Sequence, residues 1–128
     1  MIYVDSSVLL AYLQAEDRAP PATFWEGVLV SSRLAEYEVW TRLHNSGAGA
    51  NMKELAKILL ERLALAELSP LVLERALQPF PLPLRTLDAL HLATAHYLRL
   101  QDPGLTVATY DERMAESAQR LGFEVLRP

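Results

Sequence analysis

The feature that most constrains this chain is a repeated change of period, from short β-branched apolar runs to helical segments bounded by caps and breakers. Ile2-Tyr3-Val4 reads as a strand stopping at Asp5, after which Ser6 or Ser7 can cap a helix through Leu13. Pro20-Pro21 breaks the chain before a short helix over Ala22 to Glu26, and Val28-Leu29-Val30 reads as a second buried strand. Ser31-Ser32 then cap a helix to about His44, and Asn45 to Ala50 form a flexible loop. Asn51 with Glu54 resembles a capping box, opening a helix through Leu65.

Glu67-Leu68-Ser69 reads as a short strand, and the pair Ser69-Pro70 starts a helix to about Leu77. Pro79, Pro81 and Pro83 enforce an extended loop, because proline lacks a donor and biases its predecessor away from helix. Thr86 caps a helix from Leu87 to about Leu100, ended by Pro103-Gly104. Leu105 to Thr109 is a strand, Glu112 to Leu121 a helix closed by Gly122, and Phe123 to Leu126 a last strand. Apolar strands separated by helices indicate an α/β fold, with a central parallel sheet covered on both faces.

At 128 residues one domain, spanning 1–128, is expected, large enough to bury a core without staples. The 51% hydrophobic and 22% charged content is that of an ordinary globular protein. The absence of cysteine excludes disulfides and thiolate metal sites. The N-terminus lacks the basic start and apolar stretch of a signal peptide, and no apolar run approaches the ~20 residues of a membrane helix. A cytoplasmic protein without a membrane segment is the expectation. The net charge of −4 runs against nucleic-acid binding at first sight. If four carboxylates are held in a metal site, however, the remaining acids balance the 12 Lys and Arg residues.

In open parallel sheets, sites form in the crevice outside the carboxyl ends of the strands. Asp5 and Asp111 stand at or just beyond two such ends, Asp88 in the first turn of its helix, and Glu38 two turns into the helix after the second strand. Asp88 is the most informative, because Leu87 to Ala95 is otherwise almost wholly apolar apart from His91 and Thr94. A carboxylate on a buried face costs several kcal/mol, roughly, unless a cation, ion pair or hydrogen bonds compensate.

Each acid also has a structural reading. Asp5 and Asp111 suit helix N-caps, Asp88 suits the helix dipole, and Glu38 can pair with Arg42 four residues on. Glu36 competes with Glu38, and helix periodicity does not choose between them. His91 reads as a packing histidine, with a position flanking the site as the alternative. Carboxylates gathered at close range raise one another's pKa unless a cation intervenes, and an all-oxygen set suits Mg²⁺ or Mn²⁺. Such ions serve phosphodiester hydrolysis.

Rival chemistries lack their residues. His44, His91 and His96 form no zinc pattern, and no nucleophile elbow, Walker A or Gly-x-Gly-x-x-Gly is present. A phosphatase of the aspartyl type would need a second aspartate two residues after Asp5, where Ser7 stands, and a phospho-receiver would need a lysine after a late strand.

Taken together, four segments carry a family resemblance. Met1-Ile2-Tyr3-Val4-Asp5-Ser6-Ser7 resembles the opening of PIN-domain proteins, particularly VapC-type toxins. Ser32-x-Leu34-x-x-x-Glu38-Val39 resembles their second motif and selects Glu38 over Glu36. Leu84 to Ala95 is very close to their third, and Thr109-Tyr110-Asp111-Glu112-Arg113-Met114, with Leu121-Gly122-Phe123-Glu124-Val125, resembles the fourth. The match spans the whole chain.

The resemblance implies a three-layer α/β/α PIN-like fold and a Mg²⁺- or Mn²⁺-dependent endoribonuclease. It also implies a homodimer, and a cognate antitoxin whose tail occupies the acidic groove and often places an Arg there. In the family's terms Asp5, Glu38, Asp88 and Asp111 hold metal and activate water, with Ser6 and Thr109 as lesser contacts. Trp40 and Thr41 stand where Arg or Ala is often seen, and Glu36 adds an acid; these departures bear on RNA contacts. The large apolar residues Trp25, Trp40, Leu59 and Leu60 also suggest a dimer face. The alternative function is a PIN-fold binding module acting mainly through its antitoxin.

Overall fold

The computed structural model describes residues 1–128. Five strands form one sheet in the order β3-β2-β1-β4-β5, every neighbouring pair parallel. The strands are β1 (Ile2–Val4), β2 (Leu29–Ser32), β3 (Ala64–Ala66), β4 (Thr106–Ala108) and β5 (Val125–Leu126). Between them run α1 (Ser6–Leu13), a 3-10 turn (Ala22–Glu26), α2 (Arg33–Asn45), α3 (Ala50–Glu61), α4 (Pro70–Ala76), α5 (Thr86–Arg99) and α6 (Glu112–Arg120).

The strand period of two sorts the core into two halves. Val4, Leu29 and Ala108 face one side, where they meet α1, α2 and α3 through Leu9, Leu13, Val39, Leu43 and Leu59. Tyr3, Val30 and Val107 face the other, against α5 and α6 through Leu92, Ala95, Met114 and Ala118. The result is a three-layer α/β/α architecture, as expected. No helix is long and apolar enough to cross a membrane.

Several boundaries differ from the sequence expectation, each for a local reason. Helix α1 is capped by Asp5, not by Ser6 or Ser7; its carboxylate accepts from the amides of Ser7 and Val8. Helix α3 begins after Gly49 with no side-chain cap, so Asn51 and Glu54 form no capping box, and it ends at Glu61 rather than Leu65. The third strand is Ala64–Ala66, not Glu67 to Ser69, because pairing with Val30 to Ser32 claims those residues. Thr86 lies inside α5 instead of capping it. Ser32, Ser69 and Asp111 cap their helices through side-chain oxygens, and Gly122 takes φ +90° after α6, the left-handed turn foreseen there.

Trp25, Leu59 and Leu60 belong to the core, and Trp40 is partly buried against it. They do not form an exposed face. The exposed large apolar residues include Leu71 at 58%, Leu77 at 87% and Leu100 at 78%, on or just beyond α4 and α5.

Candidate active site

The chain runs β1, β2, β3 outward in one direction, then returns to place β4 on the other side of β1. The crevice between β1 and β4 is therefore the topological switch point, where ligands of open α/β sheets bind. Asp5 leaves β1 there, and Thr109 and Asp111 leave β4.

Asp5 is buried, 3% exposed, and both of its oxygens accept hydrogen bonds. Oδ1 accepts from the Ser7 amide at 3.0 Å, the Ser7 hydroxyl at 2.5 Å and the Val8 amide at 3.4 Å. Oδ2 accepts from the buried Thr109 hydroxyl at 2.6 Å. Thr109 Oγ1 in turn accepts from the Asp111 amide at 3.0 Å, and Ser7 Oγ accepts from the Tyr110 amide at 2.9 Å. Two hydroxyls thus tie the end of β1 to the turn after β4. Desolvation raises the Asp5 carboxyl above its ordinary value, while His91 and then the hydrogen bonds from Ser7, Thr109 and Val8 oppose the rise.

Glu38 comes from the second turn of α2 and is largely shielded, its side chain 15% exposed. Its Oε2 accepts from the Ser6 hydroxyl at 2.9 Å, and its Oε1 meets His91 Nε2 at 2.5 Å. Arg42 is not its partner. His91 itself is 1% exposed, and its Nδ1 lies 2.7 Å from the Tyr3 hydroxyl. Asp111 caps α6 by accepting from the Met114 amide at 2.9 Å.

Asp88, half-buried in the first turn of α5, ties the group together electrostatically. Its carboxyl is raised first by desolvation, then by the charges of Asp111 and Asp5 and, more weakly, Glu38, with His91 pulling the other way. No arginine or lysine figures among these influences. The arginine ion pairs lie elsewhere, on Glu36, Glu67, Glu112 and Glu116. Asp5, Glu38 and Asp111 all lie near enough to Asp88 to act on its charge, yet no three His, Asp or Glu side chains converge closely enough to hold an ion as they stand.

Of the sequence candidates, Asp5, Glu38, Asp88 and Asp111 therefore come from four segments to one neighbourhood. Ser6 touches Glu38 and Thr109 touches Asp5, so both minor candidates contact an acid of the cluster. Asp5 and Asp111 are at once N-caps and members of the cluster, so the two readings of each are compatible. Sequence reasoning missed Ser7, which braces Asp5, and favoured packing for His91, whose direct bond to Glu38 fits the flanking alternative instead. The signal for His91 was its place three residues after Asp88, on the same helix face.

A family model described as PIN domain matches residues 2–119. The chain is 36% identical over 130 residues to Ribonuclease VapC46 of Mycobacterium tuberculosis (strain ATCC 25618 / H37Rv), covering 99% of this chain and 97% of that protein. It is 30% identical over 134 residues to Ribonuclease VapC35 of the same species, and 30% over 136 residues to Ribonuclease VapC47, with 100% of this chain and 97% of each relative covered. Strand order, the acidic crevice and full-length similarity agree, and the chain belongs to the PIN-domain family, within its VapC group.

Proposed function

We propose that this chain, read as one PIN domain over residues 1–128, is a Mg²⁺- or Mn²⁺-dependent endoribonuclease, the toxin of a toxin–antitoxin pair. The observation that carries the reading is the environment of Asp88, whose carboxyl is raised by desolvation and then by three other acids, opposed by His91 but by no arginine or lysine. A hard divalent cation fits this all-oxygen, uncompensated set in charge and donor type. Asp5, Glu38, Asp88 and Asp111 would hold it, with Ser6 and Thr109 as supporting contacts. When bound, such an ion polarises the phosphoryl oxygen and lowers the pKa of water, the chemistry phosphodiester hydrolysis needs.

The chain's own groups prepare the site. Ser7 and Thr109 fix both oxygens of Asp5, and Ser6 and His91 fix those of Glu38. Asp88, whose side chain makes no hydrogen bond, is the least restrained acid and is free to turn toward an incoming cation. With no arginine or lysine among the charges acting on Asp88, RNA attraction falls to the cation and to arginines farther away. The same charge suits a basic side chain from a cognate antitoxin, which would compete with RNA. We place the pair in the cytoplasm, and assign a homodimer whose contact includes the exposed Leu71, Leu77 and Leu100.

The test is cleavage of structured RNAs with Mn²⁺ by wild type, Asp5→Asn and Asp88→Asn. Both variants should lose cleavage; variants that cut like wild type would refute the assignment. A second reading, a binding module acting through its antitoxin, draws on the lack of any three converging ligands. Wild-type protein inert toward RNA while binding antitoxin tightly would favour it.

A further inference from the structure

Behind the acids lies a hydrogen-bonded chain of which the reading above uses only the Glu38 end. Tyr3, in the middle of β1, is 0% exposed and points away from the α1 side of the sheet, into the layer held by α5. Its hydroxyl lies 2.7 Å from His91 Nδ1, with the two rings edge to face at 5.9 Å and 69°. The other ring nitrogen, Nε2, lies 2.5 Å from Glu38 Oε1. A phenol, an imidazole and a carboxylate from β1, α5 and α2 are thereby joined in line.

The direction of the chain follows from donor and acceptor capacity. An ionised Glu38 only accepts, so Nε2 must carry the proton that joins them. A neutral imidazole then has Nδ1 as its acceptor from the Tyr3 hydroxyl, whereas an imidazolium donates Nδ1–H to the Tyr3 oxygen; in both forms Nε2–H points at Glu38. Ligand-bearing groups in metal sites are held by outer hydrogen bonds of this kind, usually with histidine as ligand and carboxylate as support. Here the order is reversed: the histidine supports and the carboxylate faces the site.

We propose that His91 is a positioning residue for Glu38, holding its carboxylate toward the acidic crevice through Nε2–H, with its ring braced from behind by the Tyr3 hydroxyl. The inference rests on the metal-dependent reading of the site. Glu38 stands on a helix on one face of the sheet, and His91 on a helix on the other, so the bond also joins the two helical layers. Ser6 engages the second Glu38 oxygen. Together the two contacts leave the carboxylate one orientation.

The experiment measures Mn²⁺ binding to the RNA-free protein by calorimetry for wild type, Asp5→Asn, His91→Leu, His91→Gln and Tyr3→Phe, each checked for a cooperative melt. Outer-shell losses typically cost about 10–100-fold in metal affinity. His91→Leu should fall in that range. His91→Gln, whose amide N–H can still reach Glu38, should stay within a few-fold of wild type, and Tyr3→Phe should lie between. Folded His91→Leu protein that binds Mn²⁺ like wild type, while Asp5→Asn does not, would overturn the positioning role and leave the metal site standing. Wild-type protein that binds no Mn²⁺ would overturn both. Long-range ¹H–¹⁵N spectra of the wild type should show a proton on Nε2 of His91; an Nε2 without a proton would refute the proposal even if the leucine variant fails to fold.

Discussion

Replacing Asp5 separates its two roles, because the carboxylate caps α1 and also sits in the acidic pocket. In Asp5→Ala the cap is lost, a change worth about 1 kcal/mol. The Thr109 hydroxyl, buried, and the Ser7 hydroxyl, partly buried, also lose their acceptor, at about 1–3 kcal/mol each before rehydration or new pairing. Removing a desolvated negative charge offsets part of this, so a net loss of about 2–4 kcal/mol is expected. In Asp5→Asn the amide oxygen can still accept from the Ser7 and Val8 amides, and the amide nitrogen can donate to Thr109 Oγ1. The Thr109 proton is then free to turn to Ser7 Oγ, 3.5 Å away. Stability should stay within about 1 kcal/mol of wild type, helped by removal of the charge. At roughly 4 °C per kcal/mol for a domain of this size, the alanine variant should melt about 10 °C lower and the asparagine variant within about 4 °C. Melts in EDTA, paired with RNA cleavage in Mn²⁺, provide the assay: both variants should be inactive, but only alanine unstable. An asparagine variant as unstable as alanine would refute the hydrogen-bond accounting, and one that still cleaves would refute the catalytic role.

Further outcomes follow from titrating and packing groups. The raised Asp5 and Asp88 carboxyls bind protons in the folded chain that the unfolded chain has released above about 3.8. Metal-free stability should therefore fall as pH rises from 3.8 through the raised values, and Mn²⁺ should restore more stability at the higher pH; a melting temperature independent of pH there would contradict the shifts. His96 is lowered from 6.5 by desolvation and by Arg75 and Arg99, and its Nδ1 accepts from Arg75 Nε at 2.6 Å. Its stabilising share is present above 6.5 and lost as pH falls through the lowered value, so His96→Gln should shrink the acid-side loss in denaturant titrations. Leu9→Ala, at a fully buried position of α1, should cost about 2–5 kcal/mol in urea unfolding while leaving cleavage per folded molecule unchanged.

The strand–helix alternation was legible because each parallel strand is short, apolar and followed by a breaker or cap, and the four acids stood at places where that topology opens its crevice. Ser32, Ser69 and Gly122 announced their boundaries through local chemistry alone. The third strand was not legible, since Ala64-Leu65-Ala66 has the composition of a helix and becomes a strand only by pairing with β2. The partners of the acids were hidden for a related reason. Ser7 and Thr109 meet across 102 residues, and His91 and Glu38 across 53, and nothing in local spacing encodes such encounters. Trp25, Leu59 and Leu60 misled as interface residues because large apolar side chains serve cores and contacts equally.

The hydroxyl of Thr109 has a mechanical consequence. By donating to Asp5 and accepting from the Asp111 amide, it rivets the turn beyond one central strand to the acid that ends its neighbour, leaving little slack between them. Glu38 is moored more loosely, to β1 through His91 and Tyr3. Asp88 on α5 has no mooring of its own, so whatever adjustment a guest demands falls first to that helix, moving against a fixed anvil.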